Sequence, residues 1–450
     1  MSKFISEGHL VWFQKIFFER YGITFLFENN NDVVSIKCDG SEKIVSFSNL
    51  DMAFYKFGES NLNCYEWNAS KENYIGVIES VLKAPSSKEL SQPIINLHAN
   101  GAIINYDILG LTYWMLNRLE EVGRTDLDNH ERFSAKSSHA WKNNYLSRPI
   151  VDEWLEILKQ VIQQVWPHLK IKKHQFQLNV THDVDRPARF GFANPVNLTK
   201  SILGDVIKRK DFKSLLLGPY IHFNTKKQLH PKDPFNTFEW IMDVSERYSV
   251  KSSFYFICGK TDPTKDADYT LQHPAIQKLL LDIHSRGHAI GLHPSFNCYK
   301  NKEALAEEFT NLKETCHHLG IQQSEWGGRM HFLRWKHPET MLYWNECGLS
   351  YDSTLGYADY AGFRVGSCHE YTAFDPVNNK VLDLKIKPLI VMECTVLHDR
   401  YMAVDENPLD VFLELKEKCR KVNGLFTLLW HNSEFITEEY CNIYHALLES

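Results

Sequence analysis

Gln177-Leu178-Asn179-Val180-Thr181-His182-Asp183-Val184-Asp185 is a short strand-like run that ends on two acids two positions apart. In an extended chain residues i and i+2 project to the same side, so Asp183 and Asp185 face one cleft if this run is a strand. Carboxylates that close share a proton or hold a cation. An aspartate-rich turn or helix cap is the structural alternative. Around and beyond this run, strand candidates at 176–181, 252–258, 289–292, 349–351 and 425–429 alternate with helix candidates at 234–248, 275–285, 302–319, 338–347, 409–422 and 437–448. Such alternation predicts a parallel α/β fold, a barrel or a doubly wound sheet, with its chemistry at the carboxyl ends of the strands.

Upstream the pattern differs. Residues 10–21 have helical spacing and stop at Gly22. Short strands are expected at 23–27, 33–38, 43–47 and 93–98, with turns at Asn29-Asn30-Asn31 and Asp39-Gly40. A helix is expected over 106–121, then a polar connector over 124–148, then an amphipathic helix over 151–168 carrying Trp154, Leu158 and Ile162. The expected organisation is a small α+β unit over 1–125, a connector and helix over 126–173, and the α/β region over 174–450.

Other expected strand ends also carry reactive side chains. The run 289–292 ends in His293-Pro294-Ser295-Phe296-Asn297. An imidazole there can ligate zinc, although a lone histidine is more often a structural hydrogen-bonder. Gly327-Gly328-Arg329-Met330-His331-Phe332-Leu333-Arg334-Trp335 combines glycines that permit close backbone approach with an arginine able to fork onto a carboxylate; a solvated basic turn is the alternative. Leu429-Trp430-His431 closes the last strand on a proton donor that works near neutral pH, or on a buried histidine.

The order Asp-x-Asp, His-Pro-Ser, Gly-Arg and Leu-x-His at successive strand ends resembles the polysaccharide deacetylase superfamily (carbohydrate esterase family 4, the NodB-homology domain) over about residues 174–450. The resemblance implies a distorted (β/α)7 barrel, here preceded by a smaller α+β N-terminal domain. It implies a divalent metal, zinc foremost and otherwise cobalt, nickel or manganese, and removal of an N-acetyl or similar acyl group from a sugar in surface polysaccharide biosynthesis or modification. Asp183 then takes the role of general base and Asp185 that of metal ligand, two roles that could exchange. His293 is a metal ligand, and Asn297 stands where the family's second imidazole is usual. Arg329 orients the base, and His331 occupies the place of a usual proline, where it could restore an imidazole. Asp352, in Tyr351-Asp352-Ser353-Thr354, tunes the acid His431. Trp430, Trp335, Arg334 and His331 are the expected substrate contacts. Residues 361–369 and 387–393 resemble signatures of a bacterial branch of this architecture, with Cys368-His369 as an accessory ligand pair or, more simply, buried structural residues.

Composition narrows the classes without choosing the chemistry. The 450 residues are 43% hydrophobic and 24% charged with a formal charge of −6, which argues against extensive disorder and gives no electrostatic reason to expect nucleic acid. Ten cysteines without a C-x-x-C pair favour carboxylate and imidazole over thiolate as metal ligands. No secretory leader and no long apolar run is evident, so the expected location is cytoplasmic and the expected partner is an acetylated sugar on a nucleotide, a lipid or an oligosaccharide. The competing class is a catalytically degenerate glycan-binding or scaffold protein, favoured by Asn297. An O-deacylase would share every residue.

Overall fold

Glu7–Tyr21, the first helix, turns Trp12, Phe13, Ile16 and Phe17 into the core and stops where Gly22 takes φ 69°, its N–H donating to the Phe18 carbonyl at 2.8 Å. The computed structural model describes residues 5–30, 33–208, 210–402, 404 and 407–449. Asn31 of the expected 29–31 turn and the first four residues of the leader reading lie outside them. Leu26–Asn30, Val33–Lys37, Ile44–Phe47, Gly101–Ile104 and Ile95–His98 form one sheet in that order, antiparallel except for the parallel central pair. Asn63–Asn68 and Val81–Ser86 make a second, two-stranded sheet that the sequence reading did not anticipate.

The helix Ile150–Val165 buries Trp154, Leu155, Leu158 and Ile162, as its spacing predicts. It packs on the N-terminal sheets, where the Trp154 indole donates to the Lys83 carbonyl at 2.8 Å and Lys43 reaches the Val165 carbonyl. The expected helix over 106–121 is shorter, Ile108–Leu116, and every one of its residues is buried.

From residue 177 onward seven parallel strands follow one another around a barrel: Gln177–Val184, Ser253–Phe256, Ala289–Leu292, Gly327–Gly328, Tyr351–Asp352, Val391–Met392 and Leu425–Leu429. The seventh returns to pair with the first, Leu429 opposite Thr181. The fifth and sixth meet only through isolated bonds beyond their ends, such as Leu389 N–H to the Leu355 carbonyl at 3.1 Å. Instead the antiparallel pair Tyr371–Asp375 and Lys380–Ile386 lies against the fifth strand. This is the distorted (β/α)7 barrel with its smaller α+β unit in front.

The fourth and sixth strands are two residues long, too short to leave a periodic signal. Gly328 lets the fourth strand press against the third, since a Cβ there would lie 1.8 Å from the Leu292 carbonyl oxygen. The stretch 186–232, between the first and second strands, holds two helices, Pro195–Lys208 and Ser214–Asn224.

The two units share a buried seam. Trp12 donates its indole N–H to the Thr372 carbonyl at 2.9 Å, and Phe363 N–H reaches the Leu146 carbonyl at 2.8 Å. Glu121 accepts from Arg118 at 2.8 Å and from Arg364 at 2.9 and 2.5 Å, all three side chains being buried. Burial works against the Glu121 charge, yet the two guanidinium groups hold its carboxyl at about 2.

Candidate active site

Strand alternation sorts the first motif. Thr181 and Asp183 both point into the barrel and both accept from the Arg329 Nη1, at 2.9 Å each. His182, facing the other way, bonds the Trp430 carbonyl and stacks on Phe254. Arg329 is wholly buried, its Nε and Nη2 bound to the Ser353 carbonyl and hydroxyl at 2.9 and 3.0 Å, and its guanidinium lies 5.3 Å from the Tyr255 ring centroid. All three nitrogens of this cation are bound, so Asp183 meets a fixed partner.

Asp185 sits among imidazoles. Its Oδ1 lies 3.1 Å from His293 Nε2 and 3.5 Å from His331 Nε2, and its Oδ2 lies 3.7 Å from His431 Nε2. The far nitrogens of the first two rings are held: His293 Nδ1 pairs with the Arg329 carbonyl at 2.6 Å and His331 Nδ1 with Asp266 Oδ1 at 3.2 Å. Both rings therefore present Nε2 to Asp185. Burial would push the Asp185 carboxyl up, but His331, His293 and His431 outweigh it and hold it well below the usual range. Burial pushes His293 down, and Asp183 and Asp185 more than reverse that.

Ligand atoms of Asp185, His293 and His331 lie within 4.8 Å of one another. Asp185 Oδ1 is buried without a hydrogen-bond partner, which leaves an acceptor free for a cation. Two imidazoles and one carboxylate suit zinc and keep a position open for solvent. A divalent ion fits this set.

His431 stands on the opposite side of Asp185. Its Nδ1 pairs with Glu393 Oε1 at 2.6 Å, and Glu393 is fully buried at the end of the sixth strand. Burial works against the imidazolium, but the Glu393 charge prevails and raises His431 well above its ordinary value.

The structure thus brings together Asp183, Asp185, His293, Arg329, His331 and His431, and moves five expected residues elsewhere. Asn297 is engaged away from the cluster, donating to the Thr261 carbonyl at 3.1 Å and accepting from Arg334 at 3.2 Å; His331, read both as a substrate contact and as a residue that could restore an imidazole, turns its Nε2 to Asp185. Asp352 does not touch His431. Its Oδ1 accepts from the Thr354 N–H at 2.8 Å and from the Thr354 hydroxyl, and burial pushes it up to about 6. Trp430 is buried between Phe412 and Phe435 because neighbouring residues on a strand face opposite sides, so the tryptophan points outward where His431 points inward. Trp335 stacks on buried His337. Arg334 is clamped between the Phe296 and Tyr299 rings, 3.9 Å from each, and bonds Glu131 at 3.0 Å. Cys368 and His369 lie near the other end of the barrel, where Leu425 N–H, at the start of the seventh strand, bonds the Cys368 carbonyl.

Sequence reasoning missed Glu393 and Asp266. Glu393 does follow an apolar run, Leu389–Met392, and an acid closing such a run was the available signal. It also missed the reach of the connector. Arg132 Nη1 bonds the Phe332 carbonyl at 3.0 Å and, with Phe332, Leu333 and Tyr401, lines a cleft of about 190 Å³ over the site. Phe332 adopts φ 61°, a costly conformation for an aromatic residue, and its ring packs on His331, His130 and Phe296. A second cavity of about 340 Å³ adjoins the first through Asp185, His331 and Phe332.

Residues 6–167 match the model of a family of unknown function (DUF7033). No curated protein sequence matches the chain. Among solved structures the chain is similar to one described as "putative polysaccharide deacetylase from Mycobacterium smegmatis", at 14% identity and a TM-score of 0.39 over 62% of this chain and 84% of that one. It is also similar to "Puue Allantoinase", at 12% identity and a TM-score of 0.37 over 63% and 85%. A third, "probable Polysaccharide deacetylase from Pseudomonas aeruginosa PAO1", shares 12% identity at a TM-score of 0.37 over 61% and 84%.

Proposed function

We propose that the chain is a metal-dependent hydrolase that removes an acetyl or similar acyl group from the nitrogen of a sugar. The observation that carries this reading is the convergence of His293 and His331 on Asp185, flanked by the Asp183–Arg329 pair on one side and the Glu393–His431 pair on the other. Asp185, His293 and His331 would hold a divalent ion, zinc best matching the donor set and cobalt, nickel or manganese following. When bound, such an ion makes water acidic and polarises a carbonyl.

The chain's own groups supply the proton transfers. Asp183, oriented by the fixed Arg329, takes a proton from the attacking water as the new C–O bond forms. His431, kept protonated by Glu393, gives its proton to the sugar nitrogen as the C–N bond breaks, so the amine leaves neutral and the acyl group departs as its acid. Phe332 at the cleft rim offers a face for the sugar. The substrate class is an acylated amino sugar carried on a nucleotide, a lipid or an oligosaccharide.

The alternative of a glycan-binding relative without catalysis drew on Asn297. With His331 turned onto Asp185, the second imidazole is present after all, and that favours the enzyme. Zinc-loaded protein is expected to release acetate from acetamido sugars and to lose this activity on chelation. Release that survives complete chelation would defeat the proposal.

The acid pair makes a separate expectation. Glu393→Gln removes the charge that raises His431, so the imidazolium gives up its proton at lower pH. The alkaline limb of the rate–pH profile should then move down while the acid limb stays in place. An unmoved alkaline limb would show that His431 is not the proton donor.

A further inference from the structure

The two helices of the 186–232 detour do not close the barrel, and they carry a face that nothing among the described residues covers. Pro195–Lys208 and Ser214–Asn224 pack over a small cluster of their own, Phe190, Ile202 and Ile221. Outside it, Val196, Leu203 and Ile207 share one stripe of the first helix, and Leu216, Tyr220 and Phe223 share one stripe of the second. Exposure reaches 84% at Leu216, 73% at Ile207 and 69% at Phe223. Single exposed apolar residues are ordinary, whereas a gathering of this kind marks a contact surface.

Charge identifies what it contacts. Residues 186–232 hold ten lysines and arginines against two aspartates, in a chain whose net charge is −6. Lys200, Lys210, Lys213, Lys226 and Lys227 are exposed. Apolar stripes flanked by cations suit helices that lie in the interface of an anionic bilayer, with side chains in the acyl boundary and ammonium groups among the headgroups. Among the described residues no helix is long and apolar enough to cross a membrane. Lys200 falls on the first stripe and, with Asn197 and Ser201, lines the larger cavity beside Asp185 and His331. The apolar face and the cleft therefore share a helix.

We propose that this two-helix unit docks the protein on the surface of a bilayer carrying anionic headgroups. The docking does not depend on the reaction assigned above; a lipid-linked acylated sugar as the substrate it presents does rest on that reading.

The full-length protein is to be sedimented with vesicles of phosphatidylcholine alone and with phosphatidylglycerol added. Binding is expected only where phosphatidylglycerol is present, and it should weaken as salt rises. The double variant L216E/F223E should lose about tenfold or more in apparent affinity through the apolar contact, and K226E/K227E should lose the preference for anionic lipid. Turnover of a soluble acylated sugar should be unchanged in both variants. Failure of the protein to bind phosphatidylglycerol vesicles, or equal binding by L216E/F223E, overturns the proposal. A concentration-dependent dimer that L216E/F223E dissolves also overturns it, because a second copy of the chain would then cover the face. Loss of sugar turnover with vesicle binding intact would count against the reaction, not the docking.

Discussion

Asp183→Asn is expected to lower acetate release from an acetamido sugar by about three orders of magnitude, the scale of a lost general base, while bound zinc stays stoichiometric. Asparagine is isosteric and keeps an oxygen for the Arg329 Nη1, so the cleft retains its shape, but it cannot accept the proton of the attacking water. The variant also leaves the buried Arg329 guanidinium without a counter-charge, which costs about 3 kcal/mol of stability by the measure of other broken buried pairs. Denaturation curves recorded beside the kinetics separate the two effects. Acetate release close to that of the parent protein would mean that the base lies elsewhere.

The second large effect concerns the ligand set. Asp266→Ala frees the far side of the His331 ring and should weaken zinc about 10–100-fold, as loss of an orienting partner does. His331→Ala removes the donor itself and should weaken zinc further still. Asn297→Ala should leave zinc affinity unchanged, because the amide is occupied by Thr261 and Arg334. Competition against a chelating dye reads all three. Should Asn297→Ala and His331→Ala exchange places in that series, the ligand set would be misassigned.

Much of this site is written in local sequence, and the reason is geometric. Period-two alternation suffices to put Asp183 and Asp185 on one side of a strand, and a strand end suffices to expose His293 and His431. The same rule applied to Leu429-Trp430-His431 would have turned Trp430 outward, and its reading as a sugar contact ignored that alternation. The pairing of Glu393 with His431 and the choice between ligand and substrate contact for His331 are not fixed locally, for another reason. Both residues follow strands of two residues, whose existence depends on neighbours, with Gly328 seated against Leu292 and Met392 opposite Leu429. Asp266 comes from an irregular loop and gains meaning only once His331 arrives beside it. Asp352 was placed by motif order, yet its carboxylate turns back on the N–H and hydroxyl of Thr354, two residues on, a local turn contact that occupies it. Helices 195–208 and 214–224 carry no place in the strand–helix alternation, and they pack on each other over a small cluster of their own.

The seam between the two units bears on how such a chain can be inherited. Arg364 of the barrel is neutralised by Glu121 of the preceding unit, and the backbone around Phe363 completes its bonding on Leu146. A recombination event that carried residues 174–450 alone into a new gene would strand a buried cation and open a core at the same stroke. A barrel separated from its companion is therefore expected to fold poorly, which expression of residues 174–450 alone would check.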